Sequence, residues 1–374
     1  MAATMRVLVL NTGSSSLKLS VLDPDGTRVA TRTVERWEGE DHLAPLEEFL
    51  GSVDGIDAVG HRVVHGGPRY SSAVLIDEEV TDYLDSIHDL APVHNPRAVA
   101  GIRAVANLLG HLPSVAAFDT SFHAGLPAAA RTYALPREWN ARFGLRRYGF
   151  HGLSHAYAVR RAAELVGRPA PDLRMVSCHL GAGASLAAVR GGRSVDTTMG
   201  FTPLEGIVMQ TRTGSVDPGA LLWLLSHGDV DSESLSDVLE HRSGLKGLSG
   251  TSGDLRDVLA ARAAGERDAA LAYDVFVQSL VRGIGAMAAG AGGLDVLVFT
   301  GGIGEHAPVV RADVATRLGF LGVAIDDQRN QATTDADVST AAAPARTVVV
   351  TAAEDVEVAR ETRAVLRRRP ATAE

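Results

Sequence analysis

The sequence predicts an α/β protein built as two similar domains, and three observations carry that prediction. The chain has 374 residues, more than one ordinary core organises. Residues 6–34 read as a strand meander, in which "RVLVLN", "LKLSVL" and "TRVATRTV" are separated by "TGSSS" and "DPDG". A layout of the same kind returns about 170 residues later, where "RMVSCH", "SLAAVR" and "RSVDTT" are separated by "LGAGA" and "GG". The residues differ, so what repeats is the architecture.

Each element has a local reason. Leu17, Leu19 and Val21 alternate with Lys18, Ser20 and Leu22, the period of two of a sheet with one buried face. In "DPDG" proline presets one backbone angle and glycine accepts a positive one. "PRAVAGIRAVANLLG" reads as helix and "SVAAFD" as a short strand. "SHAYAVRRAAELVG" reads as a helix with a serine cap and a glycine stop. Phe276, Leu280, Ile284 and Met287 recur at helical intervals in "LAYDVFVQSLVRGIGAMAAG". That helix leads into the strand "LDVLVFT", then "GGIGEHAP" and a further helix. The expected division is an N-terminal α/β domain over 1–152 and a C-terminal α/β nucleotide-binding domain over 153–354. The helix of 355–374 should pack back on the first domain. With no low-complexity linker, the two are expected to meet closely around a cleft.

Composition narrows the function. Apolar residues make up 45% and charged residues 22%, the balance of a globular protein in water. A net charge of −9 argues against nucleic acid or an anionic membrane as the main partner. The one cysteine, Cys178, excludes an intrachain disulfide and reads as a buried strand thiol. "MAATMRVLVLN" is too short in apolar residues for a signal peptide. No apolar run approaches the roughly 20 residues that cross a bilayer. A cytoplasmic location is expected.

The chemistry concentrates in small-residue turns. "NTGSSSLK" offers backbone N–H groups, hydroxyls and Lys18, an array suited to an oxyanion. Alone it is only a hairpin turn, but "HLGAGAS" places a second such turn in the second meander. "TGGIGE" adds a third glycine group after a strand and before a helix, where backbone can approach a nucleotide. "GIGEHA" also fits a dinucleotide fingerprint, but too little chain follows it for the two halves of that fold. His61 and His65 in "HRVVHGG" stand four apart on what reads as a strand, about 13 Å between rings, too far to share a metal. Arg62 in that stretch and Arg212 in "QTRTGSVDPG" sit among apolar and small residues. Such arginines usually brace carboxylates. With Asp119 in "AAFDTSFH" and His151 in "YGFHGLSH" they could instead receive a carboxylate and a phosphoryl group.

Nine stretches in order resemble one known family. "NTGSSSLK", "GHRVVHGG", "VHNP", "FDTSFH", "RRYGFHGLSH", "HLGAGAS", "TRTGSVDPG", "SGTSGDLRD" and "TGGIGE" are similar to the signatures of acetate kinases. That family sits in the acetate, propionate and butyrate kinase group, within the sugar kinase, Hsp70 and actin superfamily. The resemblance runs from about residue 6 to 360. It implies a duplicated two-domain fold with an interdomain cleft and reversible phosphoryl transfer from ATP to acetate. It implies magnesium, with manganese as a substitute, and a homodimer.

Carried over residue by residue, the resemblance implies that Asn11 and Glu354 serve magnesium and Lys18 the ATP phosphates. It implies that Arg62 receives the substrate carboxylate, that His151 and Arg212 stabilise the transition state, and that Asp119 has an acid–base role. The acetate pocket's apolar wall would be Val64, Val93, Phe150 and Pro203. Nucleotide binding falls to His179, Leu180, Gly181, Ala182 and Gly183, to Asp254, Leu255 and Arg256, and to Gly302, Ile303, Gly304, Glu305 and His306. The chain departs from the family pattern at Ala182, Gln210 and His306, and in "TAAED". These departures bear on the phosphoryl donor more than on the reaction. A short-chain fatty acid kinase, a pyrophosphate-dependent variant and a nucleotide-gated binding protein of the Hsp70 and actin type are the competing expectations.

Overall fold

The structure is a computed structural model that describes residues 5–13, 16–37, 43–91 and 94–368. The described residues divide into two compact units. One is drawn from Met1–Ala124, Phe150–Tyr157 and Ala353–Glu374, the other from Gly125–Gly149 and Ala158–Ala352. Residues 125–149, which precede the boundary at 152 read from the sequence, thus lie in the second unit. Long-range bonds hold them there: Tyr148 N–H donates to Gly200 O at 3.0 Å, and Arg147 pairs with Glu205 at 2.7 Å. The Tyr133 hydroxyl donates to the same carboxylate at 2.7 Å.

The first unit holds a six-stranded sheet of β1 (Val7–Thr12), β2 (Ser16–Leu22), β3 (Arg28–Glu35), β4 (Ala58–Val63), β5 (Val74–Leu75) and β6 (Ser114–Phe118). Their order is β3-β2-β1-β4-β6-β5. The first three form an antiparallel meander, β4 and β6 continue it in parallel, and β5 closes the edge antiparallel. The turn "DPDG" closes with Gly26 N–H donating to Asp23 O at 2.9 Å, Gly26 having φ of +89°.

Alternation splits β1 between two faces. Leu8 and Leu10 join Leu17, Leu19 and Val59 under Ala104 and Val105 of the helix Asn95–Leu109. Val7 and Val9 face the other way, against Val358 and Ala359 of the closing helix Glu354–Arg367. That helix is tied down further by Arg363, whose guanidinium donates to the carbonyls of Met5, Leu22 and Asp23 at 2.8–3.0 Å. Residues 369–374 lie outside the described residues.

The second unit repeats the plan with β7 (Arg174–Leu180), β8 (Ala184–Arg190), β9 (Arg193–Thr197), β10 (Val296–Thr300), β11 (Ala336–Asp337) and β12 (Arg346–Val349), ordered β11-β12-β10-β7-β8-β9. Here β7, β8 and β9 form the meander, and β10 and β12 extend it in parallel. The helix Arg267–Ala291 buries Phe276, Leu280, Ile284 and Met287, the face its periodicity predicts, and stops at Gly292 with φ of +78°. Cys178 is fully buried in β7, where burial pushes its thiol up and leaves it unreactive.

Two local expectations change. The helix expected from Ser154 begins at Gly152 and runs to Leu165, so the buried Ser154 lies inside it and is no cap. "GGIGEH" is itself helical, over Gly301–His306.

Gly60 on β4 marks the closest approach of the closing helix. A Cβ there would lie 2.5 Å from Thr362 Oγ1 and 2.7 Å from Val358 Cγ1, both stiff β-branched side chains. Gly60→Ala is therefore expected to destabilise the protein by about 1–3 kcal/mol. A thermal or urea midpoint equal to wild type would show that the helix yields freely.

Candidate active site

In the first unit, strand register assembles the charged residues. Asn11 on β1 stands opposite Lys18 on β2 and opposite Arg62 on β4. Residues paired across adjacent strands project to the same face, so Lys18, Asn11 and Arg62 form one row. Asp119 follows the last residue of β6, its N–H donating to Val63 O at 3.0 Å. Glu354 opens the closing helix.

Arg62 is the hub. Its Nε and Nη2 donate to the two carboxylate oxygens of Asp119 at 3.1 and 2.7 Å, a bidentate pair. Its Nη1 donates to Asn11 Oδ1 at 3.0 Å and lies 3.0 Å from Glu354 Oε2. Asn11 Nδ2 also donates to Glu354 Oε2, at 3.2 Å. Arg62 is 18% exposed at its side chain and Asp119 only 2%. Burial works against the Arg62 charge, but Asp119 and Glu354 more than offset it and hold the guanidinium above the usual arginine range. These partners leave one Nη2 hydrogen for an incoming oxygen.

Beside this cluster, His151 occupies a left-handed backbone position with φ of +55°, just ahead of the helix that begins at Gly152. Gly152 N–H donates to Asp119 O at 2.8 Å, and a Cβ at 152 would lie 2.2 Å from that oxygen, so only glycine fits. Phe150 is 1% exposed and Val64 partly exposed. Val93, Ser14 and Ser15 lie outside the described residues.

His61 and His65 do not form a metal pair. His61 is buried on β4 and its pKa is pulled down to about 3 by that burial, while the His65 Nδ1 accepts from Gly67 N–H at 2.8 Å. Among the described residues no group of three or more histidine, cysteine, aspartate or glutamate side chains could hold a metal.

In the second unit, the sequence-predicted nucleotide segments converge on a cavity of about 610 Å³, within the range that holds a small ligand. Gly181 and Ala182 line it from the β7–β8 turn, Asp254, Leu255 and Arg256 from a helix start, and Gly302, Ile303 and His306 from the helix after β10. Among the described residues Gly302 has no neighbour that a Cβ would touch. Five of the predicted residues do not line it. Leu180 is fully buried in its strand, and Gly183 O serves the turn by accepting from Gly181 N–H at 3.1 Å. Gly304 packs on Phe299, and Glu305 accepts from Ala352 N–H at 3.0 Å. His179 pairs in register with Ser185 and Thr300.

Sequence reasoning missed Gln210, Leu259 and Val309 as lining residues. Leu259 stands one helical turn after Leu255, a spacing that could have found it. Asp254 caps its own helix through Arg256 N–H and pairs with the Arg256 guanidinium at 2.6 Å, which lowers its carboxyl to about 2.

Arg212 contrasts with Arg62. It is half-buried, its Nη1 donates weakly to Pro203 O at 3.4 Å, and among the described residues it has no ion pair. Burial lowers its pKa and the more distant Glu240 only partly counters that. A guanidinium so placed attracts an anion.

Comparison with known proteins shows the family. The chain matches the model of the Acetokinase family over residues 41–360. It is 43% identical to the acetate kinase of Trichormus variabilis, over 96% of this chain and 98% of that one. It is 45% identical to the acetate kinase of Gloeobacter violaceus, over 97% and 100% of the two chains. The crystal structure of Porphyromonas gingivalis acetate kinase superposes with a TM-score of 0.90 at 36% identity, covering 97% and 100% of the two chains. A propionate kinase from Francisella tularensis superposes at 0.89 with 32% identity, covering 96% and 100%. Two similar α/β units, a guanidinium hub in one and a glycine-lined cavity in the other accompany near full-length identity to these enzymes, and the chain belongs to the acetokinase family, with its duplicated fold of the sugar kinase, Hsp70 and actin superfamily.

Proposed function

We propose that this protein is an acetate kinase, which reversibly transfers the γ-phosphoryl group of ATP to acetate by direct in-line displacement and forms acetyl phosphate and ADP. The observation that carries the reading is the Arg62 hub. It is a guanidinium braced on three sides by Asp119, Asn11 and Glu354, with one donor left over.

The nucleophile is a carboxylate with a pKa near that of Glu, about 4.3, so it is ionised at pH 7 without a base. Asp119 then has no proton to remove in the forward direction. Its two oxygens are committed to Arg62, and its role is to aim that guanidinium at the acetate oxygen. Positioning and charge stabilisation must supply the rate. Arg212, with no anion of its own, and His151 are assigned to the oxygens of the transferred phosphoryl group. Val64, Val93, Phe150 and Pro203 are assigned to the methyl group, and Lys18 to the ATP phosphates.

Asn11 Oδ1 and Glu354 Oε2 each lie 3.0 Å from the same Arg62 Nη1, which brings two hard oxygen ligands together. That number suits magnesium, which keeps several waters and takes its remaining ligands from phosphates. Bound there, the ion would neutralise charge on the phosphate oxygens.

The cavity lined by Gly181, Ile303 and Leu259 has room for a nucleoside, which favours ATP over pyrophosphate as donor. Propionate remains a second reading because of the likeness to a propionate kinase. One methylene is worth only about 1–3 kcal/mol of discrimination. A homodimer in the cytoplasm completes the proposal. The helix Pro218–His227 exposes Leu222 at 66% and Trp223 at 59%, an apolar surface suited to a second copy. Among the described residues no helix is long and apolar enough to cross a membrane.

Trapping acetyl phosphate as its hydroxamate, with ATP, GTP and pyrophosphate as donors and acetate, propionate and butyrate as acceptors, tests the assignment. Product is expected with ATP and acetate, and none with that pair would refute it. Arg212→Ala is expected to lower kcat by about 10³-fold or more while the KM for ATP changes little; wild-type turnover would remove Arg212 from the reaction. Arg62→Ala should raise the KM for acetate by at least about tenfold, and an unchanged KM counts against its role. Gly302→Phe, which fills the cavity, should raise the KM for ATP and spare that for acetate. Equal effects on both would place the nucleotide elsewhere.

A further inference from the structure

His151 is one of three non-glycine residues with positive φ among the described residues. Such a backbone persists where its surroundings impose it. Here both peptide groups that flank His151 are held by one short segment, residues 119–123. The peptide after it is fixed by Gly152 N–H donating to Asp119 O at 2.8 Å. The peptide before it is fixed at the Phe150 carbonyl, which lies 3.1 Å from the His123 ring Nε2. A carbonyl only accepts, so the His123 ring carries a proton on Nε2 and donates it. With both peptide planes held, φ and ψ of His151 have no freedom left.

His123 is built for that task. It is 0% exposed, and its ring meets Phe122 and His155 edge-on at centroid distances of 5.5 and 5.7 Å. Burial lowers its pKa to about 4, against the carbonyl bond that favours protonation, so the ring is neutral at pH 7. A neutral, packed imidazole is a fixed donor.

We infer that His123 is a positioning residue for phosphoryl transfer: through the Phe150 carbonyl it locks the left-handed turn that presents His151 to the transferred group. The inference rests on the proposed role of His151. It makes "FDTSFH" a double motif, in which Asp119 aims Arg62 and His123 aims His151.

The test compares His123→Met, which keeps the length but has no donor, with His123→Gln, which restores an N–H near the Nε2 position. His123→Met is expected to lower kcat by about 10²-fold, the cost of a misplacement near 1 Å. Its KM values for acetate and ATP should stay within about twofold of wild type, and His123→Gln should recover most of the rate. If His151→Ala is strongly impaired while His123→Met turns over like wild type, or if Met and Gln lose rate equally, the inference is overturned and the role of His151 stands. If His151→Ala itself keeps wild-type kcat, both fall. Should His123→Met fail to fold in a thermal melt, His123→Asn replaces it. Its amide stays polar but falls short of Phe150 O, the same loss is expected, and wild-type kcat overturns the inference.

Discussion

Strand register is the constraint on which the first unit's chemistry depends. Asn11 meets Arg62 because β1 and β4 run in parallel with those two residues opposite each other, and Lys18 joins them because β2 returns antiparallel at the same level. A slip of one residue in either pairing would turn its side chain to the other face, leaving the half-buried guanidinium and the buried Asp119 carboxylate without their partners. Removing one partner of a buried ion pair costs about 3–5 kcal/mol. The apolar alternation of β1, satisfied on both faces by helices, and the ion pairs at its end therefore demand the same register.

The second unit uses the same row for different chemistry. Its equivalents of Lys18, Asn11 and Arg62 are Ser185, His179 and Thr300 on β8, β7 and β10. No arginine occupies this row, and Thr300 Oγ1 is buried with no hydrogen-bond partner among the described residues. In its place stand close backbone approaches. Gly301, with φ of +80°, would bring a Cβ within 2.8 Å of Leu180 O. One plan thus yields a charged hub in one copy and a close approach of backbone to backbone in the other.

Two arginines show how surroundings divide one chemistry. Arg62 spends its donors on carboxylates and becomes a fixed fork, whereas Arg212 keeps its charge largely unanswered. Arg311 is a third case, fully buried and, among the described residues, bonded only to carbonyl groups of Gly304, Glu305, Asn330 and Ala332 and to the Asn330 amide oxygen. It braces the helix Gly301–His306, which lines the cavity of the second unit, and burial lowers its pKa to about 10, still charged at neutral pH.

Much of this was legible in the residues themselves. Alternation in "LKLSVL", the helical spacing of Phe276 to Met287 and the glycines of three turns specify local torsions and faces, which nearby chain is enough to set. Arg62 and Asp119 stand out as charged residues in apolar stretches, whereas Asn11 and Glu354 are named only through the resemblance to the acetate kinase signatures. Packing alone decided which atoms meet. Glu305 serves Ala352 instead of facing the cavity, Gln210 lines that cavity, residues 125–149 join the second unit, and His123 reaches Phe150. Each of these outcomes joins segments whose separation along the chain carries no period or propensity, so only the folded chain expresses them.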